Sequence, residues 1–301
     1  MRPGEPSEHL FRELLGGWYL GGAVEFEIRE DSGLSPATRE VVRTFLRRTL
    51  PPEVLSEGAL TIRLRDVPGR SPVSVGPLVA PMGQLVLALQ LDSAQSWRPG
   101  PRALDVPFAE RDEEVDRPGW FIERTLVRRL TEGGSEEDPS GPGPFGYFTT
   151  ARSLERIADH AVRISEAGGQ LAEMSVPPEP IRSLEPFHAP AREHLAAGLT
   201  SLGTGDGRRA NELLDLGEAL HETCHALHDR LFPPSGRSRT PPTPAALLAR
   251  RLHSVDRSVA YAQDITGVVL DRATTGPAPE SLTPGRLPHR ATAEGSAGAW
   301  A

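Results

Sequence analysis

The stretch Gly146 to Glu166, GYFTTARSLERIADHAVRISE, restricts the possible folds of this chain more than any other segment. Its apolar residues Leu154, Ile157, Ala158, Ala161, Val162 and Ile164 recur close to a helical repeat and predict an amphipathic helix. Such a helix has a face that must be buried, so other elements have to pack on it. Glu155 and Asp159 are spaced i,i+4, which stacks their carboxylates on the same helix face. Two neighbouring carboxylates repel unless a cation or basic groups lie between them. The pair is therefore a candidate hard-metal site or part of a salt-bridged surface.

Proline and glycine divide the rest of the chain. The segments Asp66 to Pro77, Gly133 to Pro144 and Phe232 to Thr243 read as polar breaks, and Thr274 to Ala301 as a disordered tail without periodicity. Before the first break, His9 to Leu20 suits a helix, Ala23 to Arg29 alternates like a strand, Pro36 to Leu50 suits a helix, and Ala59 to Arg65 alternates again. This order predicts a small α/β module at 7–66 whose two strands pair over a crossover helix. After it, helices are expected at Leu78 to Trp97, Ala103 to Leu130, Phe145 to Leu171, Ile181 to Leu202, Gly207 to Leu231 and Pro244 to Arg272. Pro118-Gly119 predicts a kink or split in the second of these. Polar, Pro-rich connections favour antiparallel packing.

Composition narrows the function classes. The chain has 301 residues, 38% hydrophobic and 5% aromatic, enough for one large or a few small domains with a lean aliphatic core. Net charge is −8, which argues against bulk nucleic-acid binding; all 33 Lys-or-Arg residues are Arg, a bias that reflects genome composition. The single cysteine, Cys224, permits no intrachain disulfide and points to a reducing compartment. No apolar run reaches membrane-spanning length and the N-terminus carries no signal-peptide core, so a cytoplasmic location is expected.

The helix LERIADHA, residues Leu154 to Ala161, resembles the signature helix of the PhoU family of phosphate-uptake regulators. Preceding it, Glu110 to Arg124 (ERDEEVDRPGWFIER) holds Asp112 and Asp116 at i,i+4, followed by Arg117. This resembles the acid-x-x-x-Asp motif that PhoU proteins carry on the preceding helix. Trp18 to Gly22, Ala23 to Arg29 and Glu57 to Arg65 are similar to the region before the helices in archaeal PhoU-like regulators.

The resemblance implies a mainly α fold. A small α/β module at 7–66 would precede two tandem PhoU-like three-helix-bundle repeats, at 77–172 and 180–272, with a disordered tail at 273–301. An internal match supports the repeat: SLERIADHAVRI (Ser153 to Ile164) aligns with SVDRSVAYAQDI (Ser254 to Ile265). The second copy has Asp256 for Glu155 but Ala260 for Asp159, so it is degenerate and its acidic pair is broken.

If the two acidic helices run antiparallel, Asp112, Asp116, Glu155 and Asp159 meet on one surface, with Glu113 as an accessory. Such a set binds a divalent or ferric ion through oxygen, and the resemblance implies iron or zinc there. The competing reading is a solvated face in which Arg152 pairs with Glu155 and Arg163 with Asp159. His160 is expected to be a surface or hydrogen-bonded histidine.

The resemblance further implies a non-enzymatic regulator acting through protein partners, the phosphate ABC transporter or a sensor histidine kinase. A homodimer, peripheral to a membrane complex, fits that role. Many archaeal relatives begin with an AbrB-like DNA-binding domain. This chain begins too late to contain one, so direct DNA binding is not expected.

One motif points elsewhere. His221-Glu222-Thr223-Cys224-His225 matches H-E-x-x-H, in which two histidines hold zinc and the glutamate is the general base. The extended form with a third histidine does not follow, since His228, Asp229 and Arg230 come next. A zinc-dependent hydrolase at this motif is the alternative to the regulator, as is a metal-free helical scaffold. A structural or adventitious metal at His221, Glu222 and His225 is a further possibility. Under the PhoU reading, Glu218 and Glu222 mirror the acidic pair of the first repeat. Cys224 is expected to be buried. Walker, dinucleotide and nucleophile-elbow motifs do not occur, and Ser201 to Arg209 reads as a polar turn before a helix.

Overall fold

The computed structural model describes residues 5–50, 52–66, 74–97, 107–132, 141–174, 176, 178–233 and 241–275. The expected tail lies almost wholly outside the described residues.

The N-terminal module begins with helix α1 (Glu5–Arg12), continued by a wider π-helical segment (Glu13–Leu20), then β1 (Glu25–Arg29), α2 (Pro36–Arg48), β2 (Pro52–Glu57) and β3 (Thr61–Asp66). Local chemistry sets the start of α2. The Ser35 hydroxyl accepts from Thr38 N at 3.0 Å, and Pro36 occupies the first turn, where its missing N–H costs nothing. The sheet order is β1-β3-β2, with β3 antiparallel to both neighbours. Phe26 pairs with Leu64 and Ile28 with Ile62. Phe26, Ile62 and Leu64 form the buried face with Phe45 of α2 and Tyr19, while Glu27 and Arg63 meet at 2.6 Å on the outer face.

The two expected strands do pair, but antiparallel, and the sheet has a third strand that the sequence pattern did not indicate. β2, PEVLSE, is exposed along nearly its whole length and has a register shift between Val54 and Ser56. β2 buries neither face, so it has no need of the alternation that reveals a strand in sequence.

The bundle comprises α3 (Gly76–Gln95), α4 (Phe108–Glu132), α5 (Gly143–Ala172), a short α6 (Pro178–Arg182), α7 (Glu185–Thr204), α8 (Gly207–Leu231) and α9 (Pro242–Thr275). α4 packs antiparallel to α5, and α8 antiparallel to α9. Two expectations change here. α4 runs without a break through Pro118-Gly119, with buried Gly119 packed near Met82 of α3. The segment expected as one helix, Ile181 to Leu202, is divided at Ser183-Leu184 into α6 and α7. The turn at Ser201 to Arg209 is as expected. Gly205 takes φ +69°, its N–H closing onto Ser201 O at 2.8 Å, and the Asp206 carboxylate caps α8 by accepting from Arg209 N at 3.0 Å.

α5 and α9 form the centre and run antiparallel, as Gly146 against Val268 and Ile164 against Arg251 show. The positions matched between the two sequence copies face the shared core: Ala161 and Ala262 are fully buried, as are Ser153 and Ser254, and Ile164 and Ile265. Arg156 and Arg257 occupy the same place in each copy, and their guanidiniums sit 5.7 and 4.6 Å from the centre of the Tyr261 ring. At the other end, buried Arg251 donates to Ser96 Oγ and Ile164 O, both at 3.1 Å.

Candidate functional site

α4 is tied to the N-terminal module, and that tie shapes the site. Arg48, at the C-terminal end of α2, stacks over Phe11 and Trp120 at 5.1 and 5.4 Å from the ring centres. Its Nη2 then reaches Glu113 at 3.5 Å and Asp116 at 3.8 Å.

The antiparallel packing of α4 and α5 brings Asp112, Asp116, Glu155 and Asp159 into one electrostatic neighbourhood. Burial, followed by the charges of Asp159, Glu155 and Glu113, pushes the Asp112 carboxyl up to about 6. Burial, then Glu155 and Asp112, pushes Asp116 up to about 7, with Arg48 opposing. Glu155 is also raised, by burial first, against the opposing pull of Arg152. Arg152 pairs with Glu155, and Arg163 lies 3.9 Å from Asp159. The buried Oδ1 of Asp112 has no hydrogen-bond partner among the described residues. Burial and neighbouring acids thus outweigh the opposing pull of Arg48 and Arg152 on these carboxyls. It is not drawn to full coordination distance: among the described residues, the group of three or more candidate ligands with donor atoms within 4.8 Å of one another lies elsewhere.

That other group is His221 and His225 of α8 with Asp256 of α9. His221 Nδ1 lies 2.6 Å from Asp256 Oδ1, and the two imidazoles are 4.3 Å apart between centres. Glu218 and Glu222 are exposed and outside this group. His228 is exposed and leans on Phe232. Cys224 is buried, its thiol pushed up to about 12 chiefly by burial. His160 differs from expectation. It is buried in the α5–α9 seam between Tyr261 and His253, and burial followed by the nearby Arg163 lowers it to about 4.

Sequence reasoning missed Arg48 and Asp256 as parts of these clusters. Arg48 is one arginine among many on α2, and no local pattern marks it as the one that reaches α4. Asp256 was visible only as the counterpart of Glu155.

Residues 80–168 match the family model of the PhoU domain. The chain carries a PhoU domain. The match spans α4 and the greater part of α5, and so includes all four carboxylates. The fold is also similar to the crystal structure of PhoU from Pseudomonas aeruginosa, with a TM-score of 0.53 at 16% identity, covering 66% of this chain and 95% of that one. None of the curated proteins compared with the chain matches it in sequence. Among the described residues, no helix is long and apolar enough to cross a membrane.

Proposed function

We propose that this PhoU-domain chain is a cytoplasmic, non-enzymatic regulator of phosphate uptake and phosphate homeostasis. It would act by contact with a phosphate ABC transporter or a sensor histidine kinase, as a homodimer that can sit at the membrane complex. The observation that carries the reading is the PhoU-domain match over the helices holding both acidic pairs. The absence of DNA contact and of catalysis belongs to the same reading.

In it, Asp112, Asp116, Glu155 and Asp159 hold an iron or zinc ion. The donor set fits a hard or borderline cation: all four offer oxygen, Asp112 and Asp116 have their carboxyls pushed up by burial and then by neighbouring acidic groups, and Asp112 Oδ1 is buried without a hydrogen-bond partner among the described residues. A bound ion would supply the missing positive charge and link α4 to α5. The chain's own residues set its register. Arg48 couples that charge to the N-terminal module, and Arg152 and Arg163 compete for Glu155 and Asp159.

The test is phosphate uptake in cells lacking the gene, complemented with wild type or Asp112→Ala/Glu155→Ala, together with pull-downs from phosphate-replete and phosphate-starved cells. Altered uptake restored by the wild type supports the proposal. Unchanged uptake, with neither transporter nor kinase recovered, rejects it.

A metal-free scaffold is the second reading, favoured by the arginine pairs at Glu155, Asp159 and Asp116. Metal content of the purified protein separates the two.

A further inference from the structure

We infer that His221, His225 and Asp256 form a second metal site, specific for a borderline transition ion of the zinc class and distinct from the carboxylate cluster in donor chemistry. His221 and His225 are one helical turn apart on α8, so both imidazoles project from one face. Asp256 reaches that face from α9, its carboxylate 2.6 Å from His221 Nδ1. One donor atom from each of the three residues falls within 4.8 Å of the others, a span that a single ion can bridge after small rotamer adjustments.

Two imidazoles and one carboxylate suit zinc, cobalt or nickel, whereas a magnesium- or calcium-class ion takes all-oxygen sets. The site's rigidity comes from its setting. Asp256 is mostly buried, with a side chain 14% exposed, and the buried Cys224 and Leu252 line the same groove. The neighbouring groove, about 620 Å³ and lined by His225, His228, His253 and Asp256, leaves the outer side open to solvent or a small ligand.

This site departs from the acid-x-x-x-acid pattern. The two acids on α8, Glu218 and Glu222, stay outside the cluster, and Ala260 stands where Asp159 stands in the first copy. It also departs from a zinc peptidase: Glu222 is exposed and outside the cluster, so the motif's general base is not assembled with its histidines. The geometry therefore assigns these residues to binding, with the third ligand supplied by α9. A bound ion would cross-link α8 to α9.

The test is titration of the chelator-treated full chain with Zn2+ by calorimetry and with Co2+ by visible absorption. The chain is titrated as wild type, His225→Ala, Asp256→Asn and Glu222→Gln, with helicity checked by circular dichroism. Asp112→Asn/Asp116→Asn serves as the background that silences the carboxylate cluster. The inference expects one ion per chain to persist in that background and Co2+ bands typical of imidazole ligation. His225→Ala and Asp256→Asn should each weaken binding by at least the roughly 10–100-fold that loss of an outer-shell partner costs, and Glu222→Gln should leave it unchanged. Because His225 is exposed, its alanine variant should fold. Millimolar binding by the wild type, unchanged binding in folded His225→Ala, or equal loss in Glu222→Gln would overturn the inference.

Discussion

Arg124 of α4 donates to Asp66 at the end of β3 at 2.9 Å, with both side chains almost fully buried. This pair joins the N-terminal module to the PhoU-domain helices. Arg128 adds a second bond to the same carboxylate oxygen at 3.0 Å, and Arg124 also donates to Ala23 O at 2.6 Å and to Tyr19 O. One carboxylate thus bridges two guanidiniums and compensates the buried Arg124, while Arg128 also reaches Glu132 at 3.3 Å. Asp66→Ala removes that compensation and leaves a buried charge. We expect a loss of about 3–5 kcal/mol in urea unfolding. Asp66→Ala/Arg124→Met, which removes both charges, should lose less. A double-variant loss equal to the sum of the losses in Asp66→Ala and Arg124→Met alone would show that the pair is not coupled.

Gly168 makes room for a second buried guanidinium. A Cβ at this position would overlap Ser96 Oγ and Arg251 Nη1, the two atoms that join α3 to α9. Neither can retreat without losing hydrogen bonds at the end of α3. Gly168→Ala should therefore destabilise by about 1–3 kcal/mol, against the usual helix-favouring effect of alanine. Gly169→Ala, where a Cβ meets no atom within 4 Å, is the control and should be neutral or stabilising. Thermal unfolding of the two variants makes the comparison.

The carboxylate cluster should make stability fall with pH. Asp116 is raised from an ordinary 3.8 to about 7, so the folded chain holds a proton between those values that the unfolded chain has released. Stability contributed by that proton is present below about pH 4, is lost as pH rises through 7, and stays lost above. Asp116→Asn cannot ionise. In chelated protein, its stability relative to wild type should rise from near zero at pH 4 to about 1–3 kcal/mol at pH 8, after discounting for solvent screening. Denaturation series at both pH values check this, and a flat difference would refute the raised Asp116 carboxyl.

Metal content separates the two readings of the same cluster. If the four acids hold an ion, elemental analysis of wild type should show iron or zinc that falls in Asp112→Ala and in Glu155→Ala. Asp112→Ala should fall further, since its Oδ1 is the buried oxygen without a partner whereas Glu155 is held by Arg152. Unchanged content in both variants leaves the arginine-paired scaffold.

The parts of this structure readable in sequence are those whose physics is local. α5 was legible because its apolar residues repeat over many turns and face one core. The α7–α8 turn was legible because Gly205 and Asp206 carry the backbone and capping chemistry that such a turn needs. β2 was not, since an exposed edge strand buries no alternating face. The continuity of α4 through Pro118 was not either, because packing against α3 and α5 outweighs the local break. His160 was misplaced for a similar reason: its burial depends on where α9 lies.

The acid spacings on α4 and α5 were determined by sequence alone, because i,i+4 residues share a helix face whatever the helix packs against. Which faces meet was decided only by tertiary structure. The docking of α4 on α5 couples Asp116 to Glu155, the arrival of α2 sets Arg48 beside them, and the packing of α9 on α8 carries Asp256 to His221. Helical periodicity acts along one segment, whereas these encounters join residues far apart in the chain, so their positions follow from how buried apolar faces pack together.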